Sequence, residues 1–178
     1  MVHGRVTSAH FDYIIDKVSQ RLASWRGKLL NRAGRVTLVN SVVAAIPSYT
    51  MQFQWLPQTI CDALDREARQ FIWSGDGTRK LHLARWDIVT RARRHGGLSV
   101  RIARLQNIAL LGKLLWDVGH REDKIWVQFV LNKYPGATLQ HRLDVKGSNF
   151  WSALAKTYTQ LHDGFQLQLG CRTRTVLV

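Results

Sequence analysis

From Ser8 to Ile46, and again from Gln58 to Trp73, apolar residues recur every three or four positions, a spacing that predicts helices with one buried stripe each. Phe11, Ile14, Ile15, Val18, Leu22 and Trp25 predict a first helix that starts on a Ser8 cap and ends near Gly27. Val36, Val39, Val43 and Ile46 predict a second, from about Ala33 to Ile46. Pro47 stops it, because the proline ring clashes with the preceding turn and disfavours helix at the residue before it. Ser48 to Leu56 fits either a short helix or an extended passage. Pro57 suits the start of a third helix over Gln58 to Trp73, with Ile60, Leu64, Ala68, Phe71 and Ile72 inward. The SGDGTRK that follows is a loop by its glycines.

The periodicity weakens from Leu81 to Leu98, where extended pieces or a brief helix over Arg85 to Thr90 both fit, and His95-Gly96-Gly97 reads as a turn. A helix over Arg101 to Val118 is expected to bury Ile102, Leu105, Ile108, Leu111 and Leu115, and one over Glu122 to Lys133 presents Trp126, Phe129 and Val130. Ser148 suits the cap of a last helix carrying Trp151, Leu154, Tyr158 and Leu161. Asp163-Gly164 is a turn ahead of the strand-like FQLQLG. The fold class is therefore mainly α, with short extended segments and a small C-terminal α+β appendage. Core packing is the expected role of at least five of the seven tryptophans.

Charge bounds the partner. Twenty-six Lys and Arg stand against twelve Asp and Glu, a formal charge of +14. Self-repulsion at that charge opposes the compact state, so a polyanion is the natural counterpart, nucleic acid ahead of an anionic membrane or plain solubilising charge. The cations are also segregated. Lys17, Arg21, Arg26, Lys28, Arg32 and Arg35 run without an acid between Lys17 and Cys61, and a second block from Arg79 to Arg104 contains Asp87 alone as an acid. At 100° per residue Lys17, Arg21 and Lys28 fall within about 40° of one another on the flank of the first helix. Arg32 and Arg35 flank Ala33-Gly34, where a helix opening on free amides would accept a phosphate between two arginines; an exposed arginine pair is the alternative.

Asp62, Asp65 and Glu67 form the one acidic cluster, and Asp62–Arg66 and Asp65–Arg69 have the i,i+4 spacing of surface pairs rather than that of a metal site. No nucleophile elbow, phosphate-cradling glycine loop or HExxH is present. His82 and His95 read as phosphate-facing or exposed. Cys61 and Cys171 lack the spacing of a disulfide framework or a zinc site. The N-terminus has no signal-peptide core, and the longest apolar run is the five residues Val42 to Ile46, so a nuclear or cytoplasmic, reducing location with no membrane partner is expected.

The stretch HGRVTSAHFDYIIDKVSQRLASWRGKLLNRAGRVTLVNSVVAAIPSYTMQ (His3 to Gln52) closely resembles the segment behind the palm of plant LINE-type (non-LTR) retrotransposon reverse transcriptases. The WLP at Trp55, FIWSG at Phe71, RRHGGLSVR at Arg93, NIALLGKLLWD at Asn107 and DGF at Asp163 continue the resemblance, which covers about residues 3 to 170. It implies a thumb-like helical domain over residues 1–120 and a helical connector with a truncated strand segment over 121–178, together gripping a template–primer duplex. The family's palm carboxylates are absent, so the chain by itself is expected to be no enzyme and to need no cofactor, magnesium belonging to the parent polymerase. CRTRTVLV after Gly170 departs from the family, as in a truncated or frame-shifted fragment. A thumb tracks the backbone and shallow minor groove of an RNA–DNA hybrid, reading shape. Lys17, Arg21, Lys28, Arg32, Arg35, Arg91, Arg93 and Arg94 are the candidate phosphate contacts. Other domains of the parent polyprotein are a second possible partner, docking on a helical module.

Overall fold

In the computed structural model, residues 7–25, 30–73, 84–135, 147–167 and 175–177 are described. Among them are eight α-helices: α1 (Asp12–Ala23), α2 (Arg32–Leu38), α3 (Ser48–Phe53), α4 (Gln58–Trp73), α5 (Trp86–Thr90), α6 (Ala103–Gly119), α7 (Ile125–Lys133) and α8 (Asn149–Leu161). Strands β1 (Phe165–Leu167) and β2 (Thr175–Leu177) close the order. The fold is mainly α. The chain divides into two units, one of Met1–Thr50 with Leu56–Asn107, the other of Met51–Trp55 with Ile108–Val178.

In the first unit a 3-10 turn over Ser8–Phe11 leads into α1, and Thr7 rather than Ser8 closes it, its Oγ1 lying 2.8 Å from His10 Nδ1. Phe11, Ile14, Val18 and Leu22 are buried, spaced as a helix needs. α1 ends at Ala23, short of the expected Gly27; the SGDGTRK loop, His82, Lys28, Arg26 and Arg79 lie outside the described residues. α2 opens on Asn31, whose Oδ1 accepts the Gly34 amide at 2.8 Å. It continues as a π-helical segment over Val39–Val43, where the Ala44 amide reaches back five residues to the Val39 carbonyl at 2.9 Å. Val36, Val39 and Val43 stay buried through the change, and Ile46 is half-buried.

α4 is the spine of this unit, with α1 and α2 packed on it. Its bounds are those the sequence predicts: the Pro57 carbonyl accepts from Ile60 and Cys61, and Ile60, Cys61, Leu64, Ala68, Phe71, Ile72 and Trp73 are buried. Each large apolar side chain buried there contributes roughly 1.5–3 kcal/mol. Ser48 to Leu56, open in the sequence, begins as α3. Polar ties fix the turns around this spine. Asn107, fully buried, accepts the Leu56 amide at 3.0 Å, and Gln106 donates to the Ala44 carbonyl at 2.7 Å.

The second unit holds most of α6 with α7, α8 and the strand pair. Leu115, Val118, Val130, Trp151, Leu154 and Ala155 form its core. The stripe of α6 differs from the one expected: Leu105 is exposed, and Ala103, Asn107, Ile108, Leu111, Leu115 and Val118 are buried. Asp117, nearly buried, is held by Lys124 at 2.7 Å. Ser148 caps α8 as expected, accepting the Trp151 amide at 3.2 Å, and the Tyr134 ring stacks on Trp151 at 4.2 Å. Phe129, expected on the presented face of α7, is exposed beside buried Val127 and Val130. β1 falls in the strand-like FQLQLG and pairs antiparallel with β2 from the divergent tail, Gln166 opposite Val176. All seven tryptophans are buried or half-buried.

Candidate nucleic-acid interface

Lys17 and Arg21 are four residues apart on α1, both exposed on its flank. Each lies over an aromatic ring of its own helix or turn: Lys17 Nζ is 5.6 Å from the Tyr13 centroid, and the Arg21 guanidinium 5.7 Å from that of Trp25. Trp25 in turn leans on Phe71 of α4 at 6.1 Å. From the other side Arg32, the first residue of α2, covers the Trp73 ring at 5.3 Å. The end of α1 and the start of α2 thus meet the last turn of α4 through Phe71 and Trp73. Stacking engages the face of a guanidinium and leaves its edge N–H donors available to an acceptor. Arg35 is half-buried one turn on.

The expected phosphate seat at Ala33-Gly34 is altered by Asn31. Its side chain takes the Gly34 amide and its carbonyl the Arg35 amide at 3.1 Å, so two of the amides expected to be free are already satisfied. The sequence did hold the signal, since asparagine is a favoured cap.

The second cationic group sits after α5. Arg93 and Arg94 are exposed on a 3-10 turn ended by Gly96 at φ 78°, and His95 is exposed with them. The loop closes on itself through Ser99: its amide donates to the Arg91 carbonyl at 2.9 Å and its Oγ accepts the Arg93 amide at 3.0 Å. Asn40, in the π-helical segment, anchors it by donating to the Ser99 carbonyl and accepting the Arg101 amide, both at 3.1 Å. Arg91 is less available than the sequence suggests, lying 3.8 Å from Asp87, which also pairs with Arg85 at 3.2 Å. Among the described residues no carboxylate is ion-paired to Lys17, Arg21, Arg32, Arg35, Arg93 or Arg94.

Two arginines play roles that charge counting missed. Arg104 is spent on the fold, donating to the Leu56 carbonyl at 2.7 Å and to Gln58 at 2.9 Å. Arg69 lies over the Trp86 ring at 5.0 Å. The acids of α4 are likewise internal ties: Asp62 accepts from Gln58 at 2.8 Å rather than from Arg66, and Asp65 accepts the Ala103 amide at 3.0 Å. Burial raises the Asp65 pKa, opposed by that amide and by the nearby Arg69 charge. Burial also pushes the Cys61 thiol up to about 11. No described helix is long and apolar enough to cross a membrane.

No family model and no solved structure matches the chain. A curated protein of Arabidopsis thaliana, named "Putative ribonuclease H protein", is 35% identical to it over 131 residues, or 73% of this chain. The chain spans about a fifth of that relative, 21% of its length. The chain is thus similar, over nearly three quarters of its length, to one part of a much longer plant protein carrying a ribonuclease H name.

Proposed function

We propose that this chain binds nucleic acid through the cationic surface of its first unit, as a non-catalytic segment of a plant LINE-type reverse transcriptase. The observation that carries this reading is the set of exposed cations Lys17, Arg21, Arg32, Arg93 and Arg94, none paired to a carboxylate among the described residues. Aromatic rings hold the first three side chains, so less side-chain entropy is lost on contact, and a closed loop fixes the backbone that carries the last two. Such donors grip phosphates and carry little sequence preference. An RNA–DNA hybrid, whose wide minor groove exposes its backbone, is the preferred partner. The name of the plant relative, that of a ribonuclease, agrees with a nucleic-acid setting.

Fluorescence anisotropy with a labelled RNA–DNA hybrid tests it. Arg32→Ala with Arg35→Ala, and Arg93→Ala with Arg94→Ala, should each weaken binding about tenfold, as expected for loss of one to two charged contacts. Unchanged affinity in both pairs would remove the reading. Primer extension with magnesium should give no product from this chain alone.

A second reading rests on α7. Ile125 and Phe129, four apart and so on one face, are 88% and 68% exposed. They suit docking against another domain of the parent polyprotein. Retention of a palm-containing protein by the chain, lost in Phe129→Glu, would favour it.

A further inference from the structure

The last turns of α4 hold an arrangement that the cationic row does not explain. Arg69 and Trp73 are four residues apart, so their side chains lie one above the other on one face of the helix. Arg32 covers Trp73, and Arg69 covers Trp86. Helices α2, α4 and α5 thereby supply two guanidinium–indole pairs side by side.

Among the described residues three donors of this group are buried without an acceptor: Arg69 Nε, Trp73 Nε1 and Trp86 Nε1. Trp73 is only 8% exposed, so little water reaches it. Buried N–H groups in folded proteins are nearly always paired, and three unpaired ones on neighbouring side chains call for an acceptor that the described residues do not supply. Asp65 stands one turn before Arg69 on the same helix, but its Oδ1 takes the Ala103 amide, and among the described residues Arg69 Nε has no partner.

The donor set defines the ligand. Guanidinium and indole only donate, and both arginines are permanently charged, so the ligand is anionic and rich in acceptors. A base carbonyl offers one acceptor in a plane. A phosphate offers several oxygens in a tetrahedron, which suits donors carried by three different helices. We propose that Arg69, Trp73 and Trp86, with Arg32 beside them, form a binding site for one phosphate group. The inference rests on the nucleic-acid reading only for what carries that phosphate, a polynucleotide backbone rather than free phosphate.

Indole N–H signals in 1H–15N spectra of the full chain report on the site directly. Trp73→Phe and Trp86→Phe each delete one of the seven indole signals and so assign the two that matter. Inorganic phosphate, titrated at constant ionic strength against chloride, should move both downfield to saturation and leave the other indoles in place. Arg69→Gln should weaken that titration about tenfold. Should that variant fail to fold, Trp73→Phe, which keeps a ring but removes its donor, should weaken phosphate binding several-fold when followed at Trp86. An RNA–DNA hybrid should move the same two signals the same way. If phosphate moves them and the hybrid does not bind, the site stands and the nucleic-acid reading fails. If the hybrid binds while phosphate acts no differently from chloride, the site is overturned and the nucleic-acid reading survives.

Discussion

At Asp65 burial and charge pull in opposite directions. Burial raises its pKa, while the Ala103 amide and the Arg69 guanidinium favour the ionised form without fully restoring it. The folded pKa therefore lies above the unfolded one. The folded state holds this proton more tightly, so the stabilising contribution is complete below the ordinary carboxylate range and is lost as pH rises through the raised value. Asp65→Asn keeps an oxygen for the Ala103 amide and removes the buried charge. In urea unfolding, the variant should gain stability relative to the parent as pH goes from 4 to 7. A variant that instead loses more at pH 7 would mean that attraction to Arg69 outweighs burial. The sequence shows Asp65 and Arg69 at helical spacing, but the burial of the carboxyl depends on Ala103, 38 residues on, and no local pattern announces that.

Among the elements, the loop after α5 makes the sharpest demand on its residues. A Cβ on Gly97 would come within 2.0 Å of the Arg91 carbonyl oxygen, whereas one on Gly96 would meet nothing within 4 Å. Gly97→Ala must push apart the strands of the loop and should cost about 2–4 kcal/mol. Gly96→Ala meets only the strain of φ 78°, about 1–2 kcal/mol. Equal losses in thermal unfolding would contradict this account of how Arg93 and Arg94 are presented. The turn was legible from His95-Gly96-Gly97, and the bounds of α4 from Pro57 and its apolar spacing. The stripe of α6 was not, because it runs through Ala103 and the buried Asn107, a small and a polar residue that resemble a solvent face, while Leu105 looks like core and is exposed. The π-helical turn at Val39–Val43 leaves the valine spacing nearly unchanged, so the sequence reads it as ordinary helix.

Taken whole, the molecule gathers the candidate cations into its first unit: Lys17, Arg21, Arg32, Arg35, Arg91, Arg93 and Arg94 all belong to it. The mainly α class and the two cationic blocks could be read from the chain. What each arginine does could not, because pairing is a property of the fold: Arg104 is consumed internally, Arg91 leans toward Asp87, and Arg69 and Arg32 are stacked on indoles. A surface of this kind binds a polyanion by displacing condensed counterions, about 0.9 per phosphate neutralised on a duplex. Affinity for an RNA–DNA hybrid, measured across a range of salt concentrations, is the most direct check. Log K should fall steeply and linearly with log salt, with a slope shallower by about one to two units when Arg32→Ala and Arg35→Ala are combined. An affinity indifferent to salt, or a slope that the double substitution leaves unchanged, would contradict it.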